Sequence, residues 1–242
     1  MSKENKLRKI SVMLIVLLTI LFTGCKEDKT IVNNNQNFTL ESPYSFGEYQ
    51  HKVQLHTHSL LSDGDFAPHG VLQMYEEKGY TAVALTDHDY TDDSPSLTDP
   101  GGHNIIHIPG VEYSSDENDD SWNHMLGIMV KSVHHEEGVE NRQAQIDQAT
   151  TEGGLTFLCH PYDEEIHSRG WSKSDVLWLV NDYDGIEIHN SGSYHDPGGR
   201  DYPFKVDLAL VTGRKILIIA VDDFHDDPSE TMDRGCVIVN SN

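Results

Sequence analysis

Histidines and carboxylates recur in this chain at the ends of short apolar runs. His56, His58 and Asp63 follow Val53 to Leu55, His88 follows Thr81 to Thr86, and Glu112 closes Ile105 to Val111. His124 precedes Met125 to Val130, His160 follows Leu155 to Cys159, and Asp223 and His225 follow Ile216 to Val221. Successive side chains of a strand point to opposite faces, so His56 and His58 share a direction, as do Asp223 and His225. Two such forks can face one centre. Neutral imidazole suits zinc and iron, carboxylate suits manganese, and a carboxylate can bridge two cations, so a mixed set points to a multinuclear metal site. One tetrahedral zinc needs four ligands, whereas nine candidates are available. Any one of these histidines alone would read as an ordinary polar side chain. Their shared placement at strand ends carries the reading.

The runs His56-Thr57-His58 with Ser62-Asp63-Gly64, then Leu85-Thr86-Asp87-His88-Asp89, Gly110-Val111-Glu112, His160-Pro161 and Asp222-Asp223-Phe224-His225 resemble the PHP (polymerase and histidinol phosphatase) superfamily of metallohydrolases. The resemblance covers about Tyr49 to Val239 and is closest to the stand-alone phosphoesterase and carbaryl-hydrolase-like branch. It implies an α/β fold, a distorted (β/α)7 barrel, with two or three divalent metals (manganese, zinc or iron) at the carboxyl ends of the strands. Carried over by position, it implies that His56, His58, Glu112 and Asp223 hold one metal. Glu112 would bridge to a second held by His124 and His160, and Asp63, His88 and His225 would hold a third. Asp222 would lie on the opposite strand face, as support or surface.

Such a set supports hydrolysis. A water bridging two metals becomes hydroxide near neutral pH, and a metal-bound phosphoryl oxygen is polarised for in-line attack. Candidates for protonating the leaving group are His189 and His195. Arg200, Arg169 and Lys205, expected in loops, are candidates for contacting a phosphate. The leading expectation is hydrolysis of small phosphate esters. Hydrolysis of carboxylic or carbamic esters on the same metals, and a non-enzymatic metal- or ligand-binding lipoprotein, are the alternatives.

The elements that must position these residues alternate. Val71, Leu72 and Tyr75 fall at helical spacing in Pro68 to Lys78, and Gly79 is a stop before the strand Thr81 to Thr86. Glu140 to Thr151 predicts a helix before the strand Leu155 to Cys159, and Ser174 to Asn181 another before Ile186 to His189. This alternation favours a parallel sheet or barrel. Tyr90 to Gly102 and Ser114 to Trp122 are polar and predict loops over the site mouth. The chain ends at Asn242, soon after a predicted strand, Cys236 to Asn240, so the expected barrel lacks its closing helix.

Residues 1–24 have the pattern of a signal peptide: Lys3, Lys6, Arg8 and Lys9, an apolar stretch Ile10 to Phe22, then Thr23-Gly24. Cys25 directly after it resembles a bacterial lipobox cysteine, which implies a lipid anchor in the membrane. Residues 25–46, with Asn33, Asn34, Asn35, Gln36 and Asn37 in one block, cannot bury enough apolar surface to fold and form a tether. Residues 47–242 then make one metallohydrolase domain of barrel size. The expected location is the bacterial cell envelope, outside the cytoplasm, and Lys26-Glu27-Asp28 resembles a surface-export signal.

The net charge of −23 argues against nucleic acid as a partner and leaves a small anionic substrate compatible with a metal-charged site. No feature asks for an obligate protein partner. Cys159 and Cys236 could pair in an oxidising compartment. With His160 facing inward, Cys159 is expected to face outward as a free thiol.

Overall fold

A computed structural model describes residues 49–91, 104–114, 123–133, 139–161, 171–179, 182–192 and 201–241. The signal peptide, the tether, Arg169, His195 and Arg200 lie outside the described residues, as does most of each expected mouth loop. Eight strands form one sheet: β1 (Tyr49–Gln54), β2 (Ala82–Leu85), β3 (Ile106–Tyr113), β4 (Met125–Ile128), β5 (Leu155–Leu158), β6 (Gly185–Asn190), β7 (Leu217–Val221) and β8 (Val237–Ser241). Among the described residues four helices are interleaved: α1 (Pro68–Glu77), α2 (Val139–Glu152), α3 (Lys173–Trp178) and α4 (Pro203–Leu210). Among the described residues no helix is long and apolar enough to cross a membrane.

Local chemistry accounts for the helix ends. Pro68 opens α1, where its missing N–H costs no helical bond, and Gly79 takes φ +79° just beyond the last turn. Ser172 caps α3 by accepting from the Asp175 amide at 3.0 Å. Helix α4 was not anticipated by the sequence reading, and it removes Lys205 from the expected loop.

The strand order is β7-β6-β5-β4-β3-β2-β1-β8. Strands β1, β2 and β3 are parallel, as are β5, β6 and β7, while β4 runs antiparallel to both of its neighbours and β8 antiparallel to β1. The sheet is therefore mixed where alternation suggested a parallel one. Tyr113 lies opposite Met125, and the eleven residues between them fall short of the dozen or more that a crossover to a parallel neighbour requires. Beyond β1 and β7 the ends meet. The His58 amide donates to Phe224 O at 2.9 Å and the Asp223 amide to His56 O at 3.0 Å, so the sheet curls toward closure at its carboxyl rim.

Packing separates an inside from an outside. Ala84, Leu126, Phe157, Cys159, Ile219 and Val221 fill the barrel interior. Their strand neighbours Val83, Leu85, Met125 and Leu158 pack outward, against Val71, Leu72 and Tyr75 of α1 or against Ile146, Ala149, Val176 and Val206 of α2, α3 and α4. Each fully buried aliphatic side chain contributes about 1.5–3 kcal/mol, so both layers are needed to hold the rim in place.

Candidate metal centre

All nine sequence-derived ligands converge at that rim. His56 Nε2 lies 3.0 Å from Glu112 Oε2, 3.1 Å from Asp223 Oδ1 and 3.2 Å from His58 Nε2. His58 Nε2 in turn lies 3.0 Å from Glu112 Oε2 and 3.2 Å from Asp223 Oδ1. An imidazole nitrogen carries at most one proton, so hydrogen bonds cannot account for three neighbours at these distances. Donors of one cation at about 2.1 Å stand about 3.0 Å apart in an octahedron and about 3.4 Å apart in a tetrahedron. Asp223 Oδ1 is also buried without a hydrogen-bond partner, as a lone pair aimed at a cation would be. The residues fit a divalent metal.

The other oxygen of Glu112 serves a second set. Oε1 lies 2.9 Å from His124 Nδ1 and 3.1 Å from His160 Nε2. One carboxylate thus faces two donor groups. Its strand position is held by its own amide, which donates to Thr86 O at 3.1 Å, and by its carbonyl, which accepts from the Asp89 amide at 2.9 Å. His124 precedes β4 because β4 runs backwards and presents its amino end to the same rim.

A third group is looser. Asp63 Oδ1 is 3.3 Å from His58 Nδ1, and Oδ2 is 3.5 Å from His88 Nε2 and 3.4 Å from His225 Nε2. His225 Nδ1 donates to Asp223 O at 2.9 Å, which leaves Nε2 free toward Asp63. The Asp63 turn is tied down by Asp87, which accepts from the Ser59 amide at 2.7 Å and the Ser62 hydroxyl at 2.7 Å. A side chain on Gly64 would put its Cβ 2.7 Å from the His58 carbonyl carbon, so only glycine closes this turn.

Strain gathers at the ligands. Asp223 has φ +51° and His160 φ +24°, uncommon for residues with a Cβ and typical of backbone held by its surroundings for a function. The bend at His160 overturns the expected direction of Cys159. Alternation runs on from Phe157 inward and Leu158 outward to Cys159, which faces the barrel interior with its Sγ near Glu112 and His160 on one side and His56 and Glu187 on the other, and it breaks only at His160. Both Cys159 and Cys236 are free thiols, as expected.

The charges oppose and offset one another. Burial alone would lower the imidazoles of His56 and His58, but Asp223, Glu112 and their carboxylate neighbours more than offset it and hold both well above the ordinary 6.5. Burial likewise opposes ionisation of Glu112 and Asp223, and the surrounding histidines pull both well below the usual carboxylate range. Burial holds His124 down at about 4. Absent a cation, protons on His56 and His58 offset these carboxylates.

Sequence reading missed Glu187. It is fully buried in β6, its Oε1 2.7 Å from His56 Nδ1, and its Oε2 accepts from the His160 amide at 2.5 Å and from Asn190 Nδ2 at 2.9 Å. The available signal was a lone carboxylate between Ile186 and Ile188 in a strand. Asp222 is a structural anchor, its carboxylate accepting from the backbone amides of Asp233, Arg234 and Gly235 at 2.7, 2.8 and 2.7 Å and from the Tyr75 hydroxyl at 3.0 Å.

Of the expected substrate-handling residues, the two that lie among the described residues, His189 and Lys205, do not join this cluster. His189 Nδ1 pairs with Asp201 Oδ1 at 2.7 Å. Lys205 is buried in α4 and donates to Trp171 O, so it is a packing residue and not a phosphate contact from a loop.

No family model and no curated protein match the chain. Among solved structures it is similar to a two-domain protein of Bacteroides vulgatus containing a predicted PHP-like metal-dependent phosphoesterase, with a TM-score of 0.54 and 20% identity over 74% of this chain. The two share one fold, a distorted α/β barrel. This chain spans about half of that protein, 53% of its length. A proposed metal-dependent phosphoesterase of Bifidobacterium adolescentis aligns with a TM-score of 0.57 and 14% identity, over 76% of this chain and 92% of its own. An amidohydrolase of Chromobacterium violaceum, with bound sulfate and no metal, aligns with a TM-score of 0.50 and 14% identity over 78% of this chain and 92% of its own.

Proposed function

We propose that this protein hydrolyses small phosphate esters with two or three divalent cations. The observation that carries this reading is Glu112, whose two oxygens face separate donor sets, His56, His58 and Asp223 on one side and His124 and His160 on the other. When bound, divalent cations supply Lewis acidity toward a phosphoryl oxygen and acidify water. The chain's own residues hold the donors still: Glu187 orients His56, Asn190 holds Asp223, and the Asp223 carbonyl fixes the tautomer of His225. The donors around Asp63 reach solvent and His124 does so in part, whereas His56, His58 and Glu112 are sealed. The two phosphoesterase-like neighbours support this reading at the level of fold.

The test is turnover of p-nitrophenyl phosphate beside p-nitrophenyl acetate by protein purified without chelator. Phosphate turnover that stops on chelation and returns with manganese, zinc or iron is expected. Preference for the acetate would select a carboxylic or carbamic ester hydrolase on the same metals. No turnover of either by metal-loaded protein would leave a binding lipoprotein. The proposed anchorage through Cys25 is checked separately: Cys25→Ser should move the protein from the membrane to the soluble fraction.

A further inference from the structure

We infer that Glu187 is a positioning residue that couples the two inner donor sets, so that its loss weakens both at once. The inference depends on the metal-centre reading and not on the identity of the ester. Glu187 Oε1 accepts from His56 Nδ1, which directs the lone pair of Nε2 toward Glu112 and Asp223. Oε2 accepts from the His160 amide, whose residue sits at φ +24°, and this bond stabilises the bend that turns His160 Nε2 toward Glu112 Oε1. Oε2 also accepts from Asn190 Nδ2, which reaches on to Asp223 Oδ2 at 3.1 Å and leaves Oδ1 free. Three ligands from both sets therefore meet in one carboxylate.

Charge points the same way. Among the buried carboxylates, Glu112, Asp223 and Glu187 are those in contact with the inner imidazoles, and two divalent cations bring four positive charges against their three. One positive charge remains for an anionic ligand. Without Glu187 two would remain, in a site with few other means of neutralising them.

The experiment titrates chelator-stripped full-length protein with cobalt(II), following heat and the visible absorption of the bound ion. Wild type is expected to bind in at least two steps. In Glu187→Gln, an isosteric change, both inner steps should weaken by about ten- to a hundredfold, with an altered cobalt spectrum. The melting temperature of the stripped variant should stay within a few degrees of wild type, which separates positioning from general support. Should Glu187→Gln fold poorly, Asn190→Ala removes the bridge to Asp223 alone and should weaken the first step more than the second. Unchanged affinities, or weakening of a single step in Glu187→Gln, overturn the coupling while leaving the metal centre intact. Wild-type protein that takes up no cobalt overturns both.

Discussion

The donor groups around Glu112 and around Asp63 use the same chemistry in opposite surroundings. His56, His58 and Glu112 have side chains 0%, 0% and 1% exposed, with donor separations of 3.0–3.2 Å. Asp63, His88 and His225 are 52%, 24% and 32% exposed, and their separations run from 3.4 to 3.5 Å. In the inner group the fold has already removed water and fixed each lone pair, so a cation meets prepared ligands. In the outer group solvent competes and one partner sits on a turn. Burial, more than ligand type, should set which metal stays and which exchanges.

The largest expected effect follows from breaking the inner group. Glu112→Gln keeps the shape but weakens both faces of the bridge, and turnover should fall about a thousandfold or more, with loss of two metals per chain by elemental analysis. Retention of two metals would mean that Glu112 is not the shared ligand. Stripping the metals should come next, costing about 4 kcal/mol of stability for each independent site at metal concentrations a thousandfold above Kd.

That cost should depend on pH with a definite sign. In the stripped protein His56, His58, His160 and His225 have pKa values raised above the ordinary 6.5, because neighbouring carboxylates more than offset burial. Their contribution is full below about 6.5 and is lost as pH rises through the raised values. Glu112 and Asp223, lowered from 4.5 and 3.8, contribute above those values and lose it as pH falls, and His124, lowered to about 4, adds to the acid-side loss. Stripped protein should therefore lose stability on the alkaline side. Loaded protein, with neutral ligating imidazoles, should not, so the difference in Tm should widen above pH 6.5. A constant difference in scanning calorimetry from pH 6 to 9 would contradict it.

A smaller effect is expected from the outer group. Asp63→Asn should remove one metal, the one that exchanges fastest, and lower turnover about tenfold while leaving the inner pair bound. If it instead emptied all sites, the two groups would be one cooperative unit.

The sequence made the ligands legible because they sit where strand periodicity ends, a signal independent of the tertiary fold. His124 was an exception within that signal, since it precedes its run, and the exception was the mark of the backward strand β4. Glu187, Asn190 and Asp87 were not legible as supports, because their partners lie in other strands and only folding brings them together. Cys159 was misdirected because alternation was counted back from His160, across a bend that turns His160 inward as well. Lys205 shows the converse: a charged side chain in a weakly patterned segment looks exposed until a helix buries its stem.

The smallest expected effect concerns His189. The register between β6 and β7 shifts between Glu187 and His189, so these residues no longer share a face, and Asn190 resumes the inward direction beside Asp223. His189 is left paired with Asp201, whose side chain is 75% exposed, an arrangement that contributes about 0–1 kcal/mol. His189→Ala should therefore change turnover by no more than about twofold and leave metal content intact. The informative comparison is between good and poor leaving groups, p-nitrophenyl phosphate against an alkyl phosphate. A tenfold loss confined to the alkyl ester would show that His189 does hand a proton to the leaving group, and that the bulge opens in solution to let it reach the rim.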